Sequence, residues 1–418
     1  MRFRKLLPLL LPFLLFTACK QDYSILQDSV PDPLENINSP LRFSDADYEE
    51  LRQELDIEQD INFPLAEIPS HLASRSRTTE LTATQQRRAM LGRVLFYDRR
   101  VSVTGETSCA TCHAQEFAFS DNKAFSDGIR GAHTARNSFP LGSVPSFLTA
   151  PTNSSLPAVG YYSPPPPDVP EPKFGRFFWD GRAKDIVEQS RETMSNPIEM
   201  GSNLEELADK LNQERIYQIL GRKAFRDEEL SPGDIILAIG DFMTTMSSTD
   251  TRYDDLQDLK TNRVPMSRIL EDFTLSEVRG GEIYRTSCAS CHHSSMAEPT
   301  VKMANNGLDR VYTDKGSGAV TGDVLRNGFF KTPFLRNLPL TAPYMHDGRF
   351  ATLREVVDHY SEGIQDHPNL SPILRNDDGS VRNLHLSEYD KQALVDFLEL
   401  TKDRTIQTAE HLSDPFIR

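Results

Sequence analysis

Cys109-Ala110-Thr111-Cys112-His113 and Cys288-Ala289-Ser290-Cys291-His292 each set two thiols three positions apart with an imidazole directly after them. Such a thiol pair can add across the two vinyl groups of a haem while the histidine binds the iron from one face, the attachment chemistry of c-type haem. Four of the five cysteines in the chain are used this way. Disulfides require no histidine after the second cysteine, and structural zinc sites seldom carry one there twice. The spacing predicts two covalently attached haems c, on Cys109 and Cys112 and on Cys288 and Cys291. His113 and His292 are then the proximal iron ligands.

Each motif needs an element to deliver it. Residues 82–96 carry one apolar face behind a helix-favouring start and lead into the first motif; residues 274–287 lead into the second. Further helices are predicted at about 203–220, 232–247, 352–362 and 387–400, with no convincing strand. Residues 140–172 are rich in Pro, Ser and Gly, with four prolines in a row from Pro164 to Pro167, and read as an extended loop. The chain therefore reads as all-α, with two cytochrome c-like haem domains at 81–255 and 256–402. A tether and N-terminal arm precede them at 19–80, and a C-terminal tail follows at 403–418.

Residues 1–18 have a basic start, an apolar run from Leu6 to Phe16, and small residues before Cys19. Those are the parts of a secretory signal, and the run is too short to span a bilayer. Thr17-Ala18-Cys19 resembles a bacterial lipobox with Phe16 in place of the usual leucine, so Cys19 is the expected lipidation site. Ordinary cleavage beside a stray cysteine is the alternative. Haem c is attached outside the inner membrane, so export and the haem motifs agree. Lys20 carries no inner-membrane retention cue, which points to a periplasmic protein anchored by lipid to the outer membrane. The 418 residues allow two or three domains. The formal charge of −15 becomes −18 once Arg2, Arg4 and Lys5 leave with the signal. That acidity argues against nucleic acid and suits a basic or neutral partner such as a small electron-carrier protein.

Beyond the haem motifs the chain carries an ordered set of short segments: Leu95-Phe96-Tyr97-Asp98, Phe119-Ser120-Asp121, Arg136-Asn137, Phe178-Trp179-Asp180-Gly181-Arg182 and Asn196-Pro197-Ile198-Glu199-Met200. Lys331-Thr332-Pro333-Phe334-Leu335-Arg336-Asn337 and Ala342-Pro343-Tyr344-Met345-His346-Asp347-Gly348-Arg349 complete it. In this order, from about residue 84 to 400, the chain resembles the bacterial di-haem cytochrome c peroxidase and MauG family. The resemblance implies a two-domain helical fold, with peroxide reduced at the first haem and electrons entering through the second.

The resemblance also assigns roles. In activatable peroxidases of the family a histidine caps the first iron; its position here is Ile129, which cannot bind iron. His133 is the remaining candidate, in a polar turn that suits a solvated histidine. Glu199 matches the distal acid, and Ser195 stands where relatives often have Gln. The sixth ligand of the second haem falls on Tyr360, where other members have Met; His359 and Met345 are competitors. Trp179, the only tryptophan, matches the residue that carries electrons or holes between the haems. One calcium ion is implied between the domains, held by the Asn137 side chain and the carbonyls of Thr341 and Pro343, an oxygen-only set that suits it.

Three functions follow. The first is a peroxidase reducing hydrogen peroxide to water with electrons from a small cytochrome c or cupredoxin. The second is a MauG-like oxidase that uses peroxide to modify a protein or small substrate. The third is a non-enzymatic di-haem electron carrier. An open first iron beside Glu199 argues against the carrier, while Ile129 and Tyr360 favour the oxidase. Family members are often homodimers.

Overall fold

Five helices begin with one local device. Thr82, Ser231, Thr251, Thr274 and Thr352 each cap a helix, and the residue three positions on returns a side-chain bond to the cap. These capping boxes satisfy backbone N–H groups that the first turn leaves without partners. The computed structural model describes residues 41–64, 67–72, 81–142, 177–183, 186–297 and 299–417. The signal segment, Cys19 and residues 143–172 of the Pro-rich stretch lie outside them.

The first core holds α1 (Asp45–Leu51), α2 (Ala83–Tyr97), α3 (Cys109–Cys112), α4 (Ile186–Ser195), α5 (Leu204–Leu211), α6 (Arg215–Phe225) and α7 (Pro232–Met243). The second is built on α8 (Arg252–Thr261), α9 (Met266–Asp272), α10 (Leu275–Ser287), α11 (Ala289–His292), α13 (Leu353–Asp358) and α14 (Glu388–Glu399), with the short α12 (Ser317–Thr321) outside it. The helical expectation holds. One strand pair, β1 (Met303–Ala304) with β2 (Phe330–Lys331), is antiparallel. Two residues per strand are too few for any alternation to be read from the sequence. No described helix is long and apolar enough to cross a membrane.

Both cores are organised on the same crossing. On α2, a Cβ at Gly92 would lie 1.9 Å from the Ala238 carbonyl oxygen and 2.8 Å from Phe242 Cβ of α7. On α10, a Cβ at Gly280 would lie 1.9 Å from the Ala393 oxygen and 2.6 Å from Phe397 Cβ of α14. Four residues after each glycine an aromatic meets the same phenylalanine: Phe96 on Phe242 at 5.4 Å and Tyr284 on Phe397 at 5.5 Å. Glycine is required because the backbones touch. The crossing aims each leading helix at its Cys-x-x-Cys-His.

Three segments depart from the expected partition. The boundary placed at 255/256 falls inside α8, whose Tyr253 and Leu256 are buried in the second core. The Thr251 capping box starts that helix earlier, so the chain changes cores between Met246 and Tyr253. The segment expected as a tail instead returns to the first core, where Ile406 and Leu412 are buried. There Tyr97 Oη donates to the Leu412 carbonyl at 2.6 Å and Arg93 Nε to that of Ser413 at 2.7 Å. The arm also divides: Phe43, Leu51, Leu55 and Phe63 join the first core, while Leu72 packs with Ala297.

Asp254 ties the start of α8 to the Lys331–Asn337 segment. Arg336, fully buried, donates from both terminal nitrogens to Asp254 at 2.8 and 2.6 Å. Burial by itself would raise this carboxyl; the bonds from Arg336, His71 and Thr251 outweigh it and hold it well below the usual carboxylate range. The group therefore contributes stability above its unfolded pKa of about 3.9 and loses it as pH falls toward the folded value. Asp254→Asn strands a buried guanidinium and is expected to cost about 3–5 kcal/mol, read as a lower denaturation midpoint at neutral pH. The difference from wild type should shrink on acidification. Gly280→Ala is expected to cost at least about 1–3 kcal/mol by overpacking, and the same denaturation series would expose it.

Candidate functional site

The first motif forms the single turn α3, closed by Ser108, whose backbone N–H donates to Thr111 Oγ1 at 2.9 Å. The chain then bends through Ala118 and Phe119, both at positive φ, and returns the Phe119 carbonyl to within 2.9 Å of His113 Nδ1. A carbonyl only accepts, so Nδ1 carries the proton and Nε2 presents its lone pair. Burial lowers the imidazole pKa and keeps that lone pair free. The second motif repeats the arrangement: His292 Nδ1 lies 3.0 Å from the Pro333 carbonyl, and burial pushes its pKa down to about 4.

All four motif cysteines are free of disulfides. Burial pushes the thiols of Cys109, Cys112 and Cys288 up to about 12. Among the described residues no three His, Cys, Asp or Glu side chains group as a metal site, whereas structural zinc takes four ligands. The two thiols and the imidazole of each motif suit thioether attachment with nitrogen ligation. Cys288, Cys291 and His292 line one cavity, which Tyr360 and Met345 also border. The residues present fit a haem at each motif.

Glu199 lies close enough to the first motif to act electrostatically on Cys109 and Cys112. It sits in the turn after α4, where its Oε1 accepts from Asn196 Nδ2 at 2.8 Å and Thr107 Oγ1 donates to its carbonyl at 3.3 Å. Burial raises the carboxyl pKa against the opposing pull of Arg182, Thr193 and Asn196. Ser195 turns away, its exposed hydroxyl donating to Arg191 O at 2.8 Å. Ile129 is buried, and its N–H donates to the Ile198 carbonyl at 3.0 Å, fastening the 126–134 turn to the Glu199 turn. His133 points outward, 63% exposed, with Nδ1 3.1 Å from Asp127.

At the second cavity, Asn306 Nδ2 donates to Tyr360 Oη at 3.4 Å and approaches Met345 Sδ at 3.6 Å. Tyr360 lies in a π-helical turn, His359–Gly363, that continues α13. Such turns recur at functional positions because one extra residue re-aims a side chain. Burial pushes its phenol up to about 12. His359 is committed elsewhere, its Nε2 3.0 Å from the Asn306 carbonyl. His293 sits at positive φ, with Nδ1 against Ser295 Oγ at 3.0 Å.

One short segment runs between the two histidines. Ser138 Oγ donates to the Cys112 carbonyl at 2.7 Å and lies 3.3 Å from His113 Nδ1. Phe139 packs edge-on against Trp179 at 4.9 Å and Phe334 at 5.6 Å; Phe334 follows the Pro333 that holds His292. Trp179 Nε1 donates to the Asn137 carbonyl at 2.9 Å, and Trp179 also borders the second cavity. Asn137, Thr341 and Pro343 border it too, and Asn137 Nδ2 is used on the Lys123 carbonyl at 2.8 Å, which leaves Oδ1 as its remaining donor to a cation. Among the described residues no cluster of three His, Cys, Asp or Glu could hold a metal, so a cation here would rest on neutral oxygens. Ser138, Phe139 and Asn306 have no sequence signal of their own; only the fold brings them to the site.

Residues 86–262 match the family model described as di-haem cytochrome c peroxidase. The methylamine utilization protein MauG of Methylorubrum extorquens is 30% identical over 321 residues, 75% of this chain and 77% of that protein. Cytochrome c551 peroxidase of Nitrosomonas europaea is 30% identical over 275 residues, 65% and 71% of the two chains. Among solved structures, a MauG-like protein associated with microbial copper homeostasis superposes with a TM-score of 0.63 at 27% identity, covering 85% of this chain and 99% of that one. The diheme peroxidase BthA of Burkholderia thailandensis shares the fold, with a TM-score of 0.56 at 21% identity over 79% of this chain and 90% of its own. The two motifs, their matching histidine geometry and these likenesses together make the chain a member of the di-haem cytochrome c peroxidase and MauG family.

Proposed function

We propose that the protein is a peroxidase that reduces hydrogen peroxide to two waters, with electrons from a small cytochrome c or cupredoxin. The observation that carries this reading is Glu199: a half-buried carboxyl with a raised pKa, fixed by Asn196 at 2.8 Å beside the first motif. Cys109, Cys112 and His113 would hold a haem whose iron would supply the site for peroxide and the two electrons that its O–O bond takes up. Glu199 takes the proton from one peroxide oxygen and returns it to the departing one, so hydroxide is not expelled unprotonated. Ile129 brings no ligating atom, which supports access for peroxide without prior activation.

A second haem, held by Cys288, Cys291 and His292 with Tyr360 as its further ligand, would take electrons from the donor, and Trp179 would lie on their way to the first. A calcium ion on Asn137, Thr341 and Pro343 would stiffen the ground between them. The signal-like start and Cys19 support a periplasmic, lipid-anchored protein. A second reading, peroxide-dependent oxidation of a protein or small substrate, is favoured by one observation. Tyr360 borders the second cavity with a bond from Asn306 and is hard to reconcile with a simple electron relay, since phenolate ligation favours ferric and higher iron.

Steady-state turnover with reduced cytochrome c and peroxide tests the main reading; no turnover with any small redox donor, alongside oxidation of an added protein or organic substrate, supports the second. Glu199→Gln is expected to slow the reaction with peroxide by about 10²–10⁴-fold. The carboxylate must be ionised to accept a proton, so wild type should lose rate on acidification with a midpoint above the ordinary glutamate value of about 4.3. The variant should lose that acid limb. Tyr360→Met is expected to raise the second haem's midpoint potential, within the roughly 0.8 V that axial ligands command. Spectroelectrochemistry would register the shift, and an unchanged potential would remove Tyr360 from the iron.

A further inference from the structure

Arg136 is the hub of an ion cluster that spans both cores and that peroxide chemistry does not use directly. Its NH1 donates to Asp180 at 2.6 Å, while Nε and NH2 grip both oxygens of Asp314 at 2.7 and 2.9 Å. Asp180 is 8% exposed and Arg136 20%. Charge-assisted pairs of this fork geometry are directional as well as strong, and a lysine, with one ammonium on a flexible stem, cannot reproduce the two-nitrogen fork on Asp314 together with the bond to Asp180.

What the cluster holds is the surroundings of Trp179. Asp180 is the next residue, and Phe178 before it sits at a φ of 61°, a conformation that a bulky side chain adopts only under external constraint. Asn137 follows Arg136; its carbonyl takes the Trp179 indole N–H at 2.9 Å and its own N–H donates to the His346 carbonyl at 2.8 Å. Arg182 also donates to Asp180, from NH1 at 3.0 and 3.1 Å, but among the described residues only Arg136 links the loop that carries the indole to the segment that receives its hydrogen bond and to Asp314 of the second half of the chain.

We propose that Arg136 is a positioning residue for electron transfer between the two haems, fixing the Trp179 ring relative to both. The proposal rests on Trp179 being the bridge. Electronic coupling falls steeply with each added gap, so a ring released by a fraction of an ångström slows transfer while both haems remain attached. One electron crosses per event, from the second haem to the first, and the indole ends unchanged.

The test uses the full-length protein with both haems bound. Peroxide is mixed with enzyme whose second haem has been reduced, and oxidation of that haem is followed by stopped flow in wild type, Arg136→Lys, Asp314→Asn and Trp179→Phe. Haem content, both midpoint potentials and the fluorescence lifetime of the single tryptophan are measured on the same samples. Arg136→Lys is expected to slow the step on the order of ten- to a hundredfold, with both haems retained, potentials unmoved and the lifetime changed. Asp314→Asn, at a position one-third exposed, should slow it less. Wild-type rates and lifetime in both variants overturn the proposal while a slow Trp179→Phe leaves the bridge standing. A wild-type rate in Trp179→Phe overturns both. If Arg136→Lys loses a haem, Asp314→Asn alone decides.

Discussion

On the proposed reading the two separately cored halves must be held at one fixed separation, because electron transfer between their haems tolerates little play. A hinge of the usual kind between domains would not provide this. Here the chain is interleaved instead. After building the second core it returns through Asp403, whose N–H donates to buried Asn337 Oδ1 at 2.9 Å, and lays Ile406 and Leu412 into the first core. The Arg136–Phe139 segment crosses in the other sense, from His113 to Phe334 and Asp314. Neither half can turn without breaking buried pairs from both crossings.

Within that frame the two motifs are near copies on one side and opposites on the other. Each histidine is locked through Nδ1 to a carbonyl, of Phe119 or Pro333, and each leading helix crosses its partner at a glycine. The far sides differ in kind. Glu199 offers an acid that burial keeps close to proton exchange, while Tyr360 offers a phenol that burial keeps protonated. On the proposed reading a proton shuttle serves bond cleavage, and a side chain able to ligate iron serves the oxidised state of the second haem. The asymmetry divides the labour between the sites.

The haem motifs were legible because covalent attachment demands fixed residue types at fixed spacing. So were the leading helices, through their capping residues; the single apolar face expected over 82–96 is not what the fold uses, since every residue from Ala89 to Tyr97 is buried. The positions of Glu199, Tyr360 and Trp179 were readable only through resemblance, since nothing local sets a distal glutamate apart from a solvated one. What stayed hidden depends on long-range contact. The return of 403–417 to the first core leaves no periodic trace, because it is held by backbone carbonyls and a few apolar side chains. Arg136 and Asp180 stand in recognisable segments, but their link to Asp314 across 178 residues does not. The change of core near residue 250 has a local mark, the Thr251 capping box that starts α8, but which core that helix joins depends on long-range packing of Tyr253 and Leu256.

Tyr360 also bears on which chemistry the second haem favours. Burial pushes the phenol of Tyr360 up to about 12. Ionisation would require a positive charge in the cavity large enough to offset desolvation of the phenolate. Ferric haem carries such a charge, and ferrous haem, one electron richer, carries less. The Asn306 bond to Oη favours the same ionised form. With Tyr360 as the ligand proposed above, burial and ligation together penalise the reduced state of this haem. A relay that only waits to be reduced by a donor gains nothing from that penalty. A centre that must give up an electron promptly and share an oxidising equivalent with its neighbour gains from it, because each event ends in the state that the tyrosine prefers.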